Sequence, residues 1–272
     1  MIPVYVSNGA FITRYNGRDY HLTARYAPEL HADGLEFLMY QVWDSETDAL
    51  RRFLKGTSLS FPVMHVDKHI GEILAQDGCN GREEAFRLFT RDIITANEIG
   101  ARKLVMHLWS GPYSDAQFAY SMTLLPEMYE ICEKHGLLLT VENVTCKENI
   151  CLDHLAEIAN AYPFARFTYD TKMAYLHGEN SLLEDKKYRW LLKNTAHLHI
   201  NDSASGDIGG GRSPILHIGD GEIDFDAFFG LLRCESYNGT ATVESTSVLE
   251  DGSVNIEKLN RSLDRVRREL NS

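Results

Sequence analysis

Residues 167–178, FTYDTKMAYLHG, contain the end of a buried β-strand followed by an acidic residue. Phe167, Thr168 and Tyr169 are typical of a strand, and Asp170 stands where that strand stops. Other short apolar stretches end in the same way, at His65, His107, Glu142, His199 and Glu244. The pattern predicts that the chain brings these strand ends together around a divalent metal ion.

The spacing of the apolar stretches predicts the fold class. The predicted strands lie at residues 2–7, 35–40, 59–66, 103–108, 137–144, 165–169, 197–200 and 240–244. They are continuous apolar runs, as expected of parallel strands that are buried on both faces. Most are followed by an amphipathic helix, and the last helix has apolar residues at spacings of 3, 4, 3 and 4 from Ile256 to Leu270. This alternation predicts an α/β protein, a single-domain (β/α)8 TIM barrel over residues 1–272.

Two segments depart from a regular repeat. Residues 8–31, between the first two strands, are polar and mixed, and they predict at most a short helix near residues 24–31. The helix predicted over residues 114–135 contains Pro126. Because proline removes a backbone donor and clashes with the preceding turn, we expect a kink or a break there.

Charge and cysteine content exclude several classes of protein. The net charge is −12, whereas binding to a nucleic-acid backbone needs clusters of Lys and Arg, so no nucleic-acid partner is expected. The 5 cysteines form no CxxC pair, which favours free thiols in a reducing cytoplasm. The sequence contains no recognisable signal peptide and no apolar run long enough for a bilayer. We therefore expect a cytoplasmic protein without a membrane partner.

The residues at the ends of the last four predicted strands form a set of metal ligands. Glu142, Asp170, His199 and Glu244 offer three carboxylates and one imidazole. In a (β/α)8 barrel, the carboxyl ends of the strands meet at the active-site end. These ligand types suit one divalent cation, Mn²⁺, Co²⁺, Zn²⁺ or Mg²⁺, without choosing among them. The alternative is that the four residues are ordinary polar caps that bond to loop backbone.

Five short motifs occur in the order VEN (141–143), YDT (169–171), HLHIND (197–202), HIGDGEIDF (217–225) and VES (243–245). Together they resemble the xylose-isomerase-like barrel superfamily, and the resemblance covers nearly the whole chain. That superfamily contains sugar isomerases, ketose 3-epimerases, inosose-handling enzymes, 3-dehydroshikimate dehydratases and endonuclease IV. The resemblance implies that the metal ligands are Glu142, Asp170, His199 and Glu244.

The resemblance to the epimerase branch also implies an activity. In that branch two glutamates, which match Glu142 and Glu244, face the substrate from opposite sides. One removes a proton from the carbon next to a carbonyl, and the other returns a proton to the opposite face. A divalent metal stabilises the enediolate as charge develops on oxygen. The resemblance thus implies a metal-dependent isomerase or epimerase of a sugar or a related hydroxy-ketone.

Further residues are expected to contact the substrate. His65 and His107 match histidines that hold an additional zinc in endonuclease IV, but in sugar-handling relatives residues at these places hydrogen-bond substrate hydroxyls. We favour substrate contact over a second metal. Lys172 and Arg212, the latter in a Gly-rich loop, are expected to reach substrate oxygens. Trp109 is expected to stack on a sugar face, with packing at the barrel rim as the alternative.

The sequence departs from the superfamily at two places. Many members carry a histidine three residues after the strand-six aspartate, where this chain has Met173. Lys172 and His177 are the candidates to replace that substrate contact. The aspartate and histidine expected for a third zinc are replaced by Ser213 and Ile215. A complete three-metal site of the DNA-repair type is therefore excluded.

Two other functions stay open. A lyase of the same fold would use the same base and metal to remove a β-hydroxyl as water from an inosose-like or dehydroshikimate-like substrate. A barrel that binds a carbohydrate without converting it would not need the two glutamates. In each case the expected partner is a small sugar or polyol-ketone. The sequence does not decide the oligomeric state, and a homo-oligomer is allowed.

Overall fold

The structure, a computed structural model, describes residues 1–76, 79–110, 115–146, 151–179, 183, 185, 188–205 and 214–272. Its strands are β1 (Val4–Ser7), β2 (Leu35–Leu38), β3 (Val63–His65), β4 (Lys103–Met106), β5 (Leu138–Glu142), β6 (Arg166–Asp170), β7 (Thr195–Ile200) and β8 (Thr240–Val243). They form a closed barrel in chain order, and neighbouring strands such as β4 and β5 pair in parallel. The predicted (β/α)8 barrel is confirmed. That residues 1–272 are one domain stays a prediction.

The helices follow the predicted pattern. Among the described residues they are α1 (Leu22–Tyr26), α2 (Thr47–Gly56), α3 (His69–Leu74), α4 (Cys79–Ile99), α5 (Phe118–Thr123), α6 (Leu125–Lys134), α7 (Cys151–Ala161), α8 (Thr171–Leu176), α9 (Arg189–Asn194), α10 (Phe225–Cys234) and α11 (Ile256–Leu270). Pro126 lies in the first turn of α6, so the expected kink is a break between two helices. None of the described helices is both long and apolar enough to cross a membrane.

The contacts of the chain form two compact units. The terminal unit comprises Met1–Glu36 and Tyr169–Ser272. Within it, β1 pairs in parallel with both β2 and β8, and β7 pairs with β8. Helix α11 packs against β1 with the predicted apolar stripe, of which Leu259, Leu263 and Val266 are fully buried. Burial of that stripe attaches the C-terminal helix to the sheet.

The central unit comprises Phe37–Thr168, with β3, β4 and β5 paired in chain order. A charge network, buried except for Asp44, lies just after β3. Arg91 Nε donates to Asp92 Oδ1 over 2.8 Å, and Arg91 Nη1 donates to Asp44 Oδ1 over 2.7 Å. The backbone N–H of Asp67 donates to Asp92 Oδ2 over 2.8 Å. The network therefore anchors the chain that leaves the carboxyl end of β3.

Burial raises the pKa of the Asp92 carboxyl to about 7, although Arg91 and the backbone N–H of Asp67 oppose the shift. In the unfolded chain the pKa of an aspartate is about 3.9. Between these values the folded protein holds the proton and the unfolded chain does not. The stabilising contribution of Asp92 is therefore fully present below about pH 4 and is lost as the pH rises through about 7.

Asp92→Asn removes this titration and keeps an oxygen that accepts the N–H of Asp67. From about pH 4 to about pH 7, we expect the free energy of unfolding of the wild type to fall relative to that of the variant, by about 1.4 kcal/mol per pH unit. Urea unfolding across this range measures the difference. Asp226→Asn, at a side chain that is 89% exposed, is the control. A difference that does not change with pH would contradict the prediction.

Candidate metal centre

His199, Asp170 and Glu244 come together at the carboxyl ends of their strands in the terminal unit. His199 Nδ1 lies 3.9 Å from Asp170 Oδ2 and 3.6 Å from Glu244 Oε2. Asp170 and His199 are buried, and the Glu244 side chain is 14% exposed. Two ligands that each lie about 2.0–2.2 Å from one cation are at most about 4.4 Å apart. The separations in this cluster therefore fit three ligands of one divalent cation.

The fold holds the Asp170 carboxylate in place. Asp170 is the N-cap of α8, and its Oδ1 accepts the backbone N–H of Met173 over 2.8 Å. Its Oδ2 accepts a hydrogen bond from Asn201 Nδ2 over 3.2 Å. An aspartate at this position satisfies an otherwise unpaired helix donor. The carboxylate is thus oriented by the backbone before any ligand binds.

Glu36 fixes the orientation of His199. His199 Nε2 lies 3.0 Å from Glu36 Oε1, and His197 Nε2 lies 2.8 Å from Glu36 Oε2. Thr242 Oγ1 also donates to Glu36 Oε2, over 2.7 Å. Because a carboxylate only accepts, Nε2 of His199 carries the proton, and in a neutral ring Nδ1 then presents its lone pair to Asp170 and Glu244. Metal-binding histidines in proteins have this arrangement.

Glu36 is ionised in this environment. Burial alone would raise the pKa of its carboxyl, but the interactions with His199 and His197, including their hydrogen bonds, hold that pKa well below its usual range. Sequence reasoning did not select Glu36. The feature that could have identified it is that Glu36 is a charged residue in the otherwise apolar predicted strand LEFLMY, residues 35–40. Such a residue is rarely buried unless it has partners.

The motif HIGDGEIDF, residues 217–225, folds around Asp202, which follows His199 by three residues in the sequence. The carboxylate of Asp202 accepts the backbone N–H groups of Gly219, Gly221 and Ile223 over 2.9, 2.9 and 3.2 Å. A Cβ atom at Gly221 would collide with the Asp202 carboxylate and the Ser203 carbonyl, so only glycine fits there. The motif therefore holds the chain that leaves β7 and has a structural role.

In the central unit, two histidines contact the carboxylate of Glu142. His65 Nε2 and His107 Nε2 lie 3.1 and 3.0 Å from Glu142 Oε2, and all three side chains are buried. Burial lowers the pKa of His107 to about 4, against the attraction of Glu142, so this ring is neutral at pH 7. A neutral His107 donates its Nε2 proton to Glu142. His65 Nδ1 donates to the carbonyl of Val66 over 2.7 Å, which fixes that ring as well.

The remaining predicted substrate contacts lie in different surroundings. Lys172 is half-buried in the first turn of α8, two residues after Asp170. Trp109 is fully buried, donates its indole N–H to the Val144 carbonyl over 2.9 Å and packs edge-on against Phe118. Arg212 lies outside the described residues. Substrate contact by these residues stays a prediction.

The sequence matches one family model, and the fold is similar to those of solved structures. The family model of the xylose isomerase-like TIM barrel matches residues 24–268. No curated protein matches the sequence significantly. Among solved structures, D-allulose 3-epimerase from Methylomonas sp. in complex with D-allulose has 14% identity and a TM-score of 0.74, with 98% of this chain and 97% of that chain covered.

Two further solved structures cover similar shares of the chain. IolI with a bound zinc atom has 14% identity and a TM-score of 0.70, covering 99% of this chain and 98% of that chain. The probable 3-DHS dehydratase AsbF from Bacillus anthracis has 14% identity and a TM-score of 0.69, covering 98% of this chain and 99% of that chain. At these identities the likeness concerns the fold.

Glu36→Gln tests the support of His199. The amide keeps the size of the side chain but removes its charge and presents an N–H donor to one of the two histidines. We expect the affinity for Co²⁺ or Zn²⁺ to fall about 10–100-fold. Equilibrium dialysis of the full chain, freed of metal, measures it, with near-ultraviolet circular dichroism as a check of folding. The exposed Glu46→Gln is the matched control. Equal affinities of wild type and Glu36→Gln would contradict the role of Glu36.

Proposed function

Because the chain belongs to the family of xylose isomerase-like TIM barrels, we propose that it is a divalent-metal-dependent isomerase or epimerase of a sugar or a related hydroxy-ketone. The observation that carries the proposal is the orientation of His199. Its Nε2 proton is held by Glu36, and its Nδ1 faces the carboxylates of Asp170 and Glu244. An imidazole lone pair that faces two carboxylates is the donor set of a cation site.

We assign Glu142, Asp170, His199 and Glu244 as the ligands of one divalent cation, Mn²⁺, Co²⁺, Zn²⁺ or Mg²⁺. Support comes from the order of the strands, since β5 to β8 are consecutive in a closed barrel and each ends at or just before one of these residues. The carboxyl ends of such strands form the active-site end of this fold. When bound, the cation stabilises the negative charge that develops on a substrate oxygen.

Glu142 and Glu244 are the proposed acid–base pair. One carboxylate accepts the proton from the carbon next to the substrate carbonyl, and the other carboxyl group returns a proton to the opposite face. His107 supports the base form of Glu142, because a hydrogen bond donated to a carboxylate favours ionisation. Glu244, with its side chain partly exposed, has access to exchange its proton with solvent.

The substrate contacts in this proposal are His65, His107, Lys172, Arg212 and Trp109. His65 and His107 already meet Glu142, so substrate oxygens near Glu142 would find two imidazoles. Lys172 adjoins Asp170 and offers a cation to a substrate hydroxyl. A second metal on His65, His107 and Glu142 is the alternative role of this group. A cytoplasmic location and a homo-oligomeric state stay predictions.

A dehydratase is the second candidate function. It is favoured by the fold similarity to a protein described as a probable 3-DHS dehydratase. The same base would remove a proton, and a β-hydroxyl would leave as water instead of a proton returning to carbon. A non-catalytic barrel that binds carbohydrate is the candidate of another class. It predicts no exchange of substrate protons with solvent.

The test uses metal analysis and deuterium exchange. We expect the wild type to hold about one equivalent more divalent metal than Glu244→Gln, and to incorporate deuterium from D₂O at the carbon next to the carbonyl of a ketose or inosose. Glu244→Gln should lower the exchange rate at least about 10²-fold, because general acid–base catalysis contributes that much. The exposed Glu250→Gln is the control.

The products separate the candidate functions. An inverted or isomerised product with a solvent deuteron supports the isomerase or epimerase. An unsaturated product with loss of water supports the dehydratase. If the protein takes up no metal from excess cation and exchanges no substrate proton, both enzymatic functions are contradicted. That result supports the non-catalytic barrel that binds carbohydrate.

A further inference from the structure

A second group of candidate ligands lies in the central unit. Asp115, Cys146 and His154 each offer a ligand atom, and these atoms lie within 4.8 Å of one another. Asp115 follows β4, Cys146 follows β5, and His154 lies in the first turn of α7. Asp115 and His154 are 7% and 2% exposed, and Cys146 is half-buried. None of the three belongs to the proposed acid–base pair or to its ligand set.

His154 has the hydrogen-bond pattern of a metal-binding imidazole. Its Nε2 lies 2.5 Å from Asp115 Oδ1, so Nε2 carries the proton that the carboxylate accepts. Phe118 stacks on the ring with centroids 3.8 Å apart, and Trp109 packs edge-on at 5.0 Å. The other nitrogen, Nδ1, is buried and has no hydrogen-bond partner among the described residues. A neutral ring therefore holds a lone pair at Nδ1 that accepts no hydrogen bond from the described residues.

Cys146 supplies a soft ligand beside this imidazole. Its Sγ donates a long hydrogen bond to the Val144 carbonyl, over 3.5 Å. The same carbonyl accepts the indole N–H of Trp109 over 2.9 Å, so it keeps a partner when the thiol loses its proton. Loss of the Cys146 proton therefore does not leave the Val144 carbonyl without a hydrogen bond. Thiolates are preferred by Zn²⁺ and related soft or borderline cations.

We propose that Asp115, Cys146 and His154 form a binding site for Zn²⁺. The Cys146 thiolate and the His154 imidazole bind the cation, and the Asp115 carboxylate holds the imidazole in the required tautomer and balances the charge. Two anionic groups offset the two charges of the cation. Binding releases the thiol proton, so the affinity rises with pH. The bound cation links the chain that follows β4 to the chain that follows β5.

Cobalt binding to the full chain, freed of metal, tests the proposal. A thiolate ligand gives Co²⁺ an intense near-ultraviolet charge-transfer absorption, whereas a site of carboxylates and histidine lacks the sulfur for it. We expect this absorption to rise to a plateau as cobalt is added to the wild type and to decrease when Zn²⁺ is added. Cys146→Ser should abolish it, and His154→Gln should weaken cobalt binding at least tenfold. Cys234→Ser, at an exposed cysteine, is the matched control and should retain it.

A second measurement needs no substitution at the site. Iodoacetamide labelling of Cys146 in the wild type, followed by peptide mass spectrometry, should be slowed by Zn²⁺. Unchanged labelling, no charge-transfer absorption in the wild type, or its persistence in Cys146→Ser would each overturn the proposal. The site is independent of the proposed function, because Glu244→Gln should leave the thiolate absorption intact. Failure of one proposal therefore does not imply failure of the other.

Discussion

The hydrogen bonds between the buried carboxylate of Glu36 and the rings of His197 and His199 are the interaction on which the candidate metal centre depends. A buried carboxylate is unfavourable unless charged or polar partners surround it. Glu36 has two imidazole nitrogens and the Thr242 hydroxyl. The hydrogen bonds that offset the cost of burying Glu36 also determine which nitrogen of His199 carries the proton. The stability of the core and the ligand character of His199 thus rest on one group.

The central unit repeats this arrangement in its own interior. There Glu142 is the buried carboxylate, and His65 and His107 are the two histidines that reach it through Nε2. Burial keeps His107 neutral, as its pKa of about 4 indicates, so its contact with Glu142 is a hydrogen bond from a neutral ring. A carboxylate shared by two imidazoles is held in one position, as the proposed proton transfer by Glu142 would require.

Many buried polar groups in these units have hydrogen-bond partners, and a buried polar atom without one is informative. Asp202 satisfies a turn of backbone donors, and Asp92 satisfies the N–H of Asp67 at the end of β3. Nδ1 of His154, by contrast, has no hydrogen-bond partner among the described residues. Leaving a buried polar atom unpaired is costly, and in a histidine that belongs to a group of candidate ligands this supports a bound ligand. The proximity of Cys146 gives that ligand its chemical class.

The sequence by itself determined the architecture. Apolar runs and their spacing predicted the strands to within a few residues, Pro126 predicted the break between α5 and α6, and the stripe from Ile256 to Leu270 predicted the buried face of α11. These features are local, because hydrophobic periodicity and proline act on neighbouring residues. The strand-end residues Asp170, His199 and Glu244 could be chosen for the same reason.

Only the tertiary structure decided how those side chains are held. Glu36 and His199 are 163 residues apart in the chain, and Asp115 and His154 are 39 apart. No local pattern connects such pairs, because their contact exists only after the strands and helices have packed. The tautomer of His199, the burial of Trp109 and the grouping of Asp115 with Cys146 and His154 all follow from that packing. Residue types and order set the possible chemistry, and the fold selected which atoms meet.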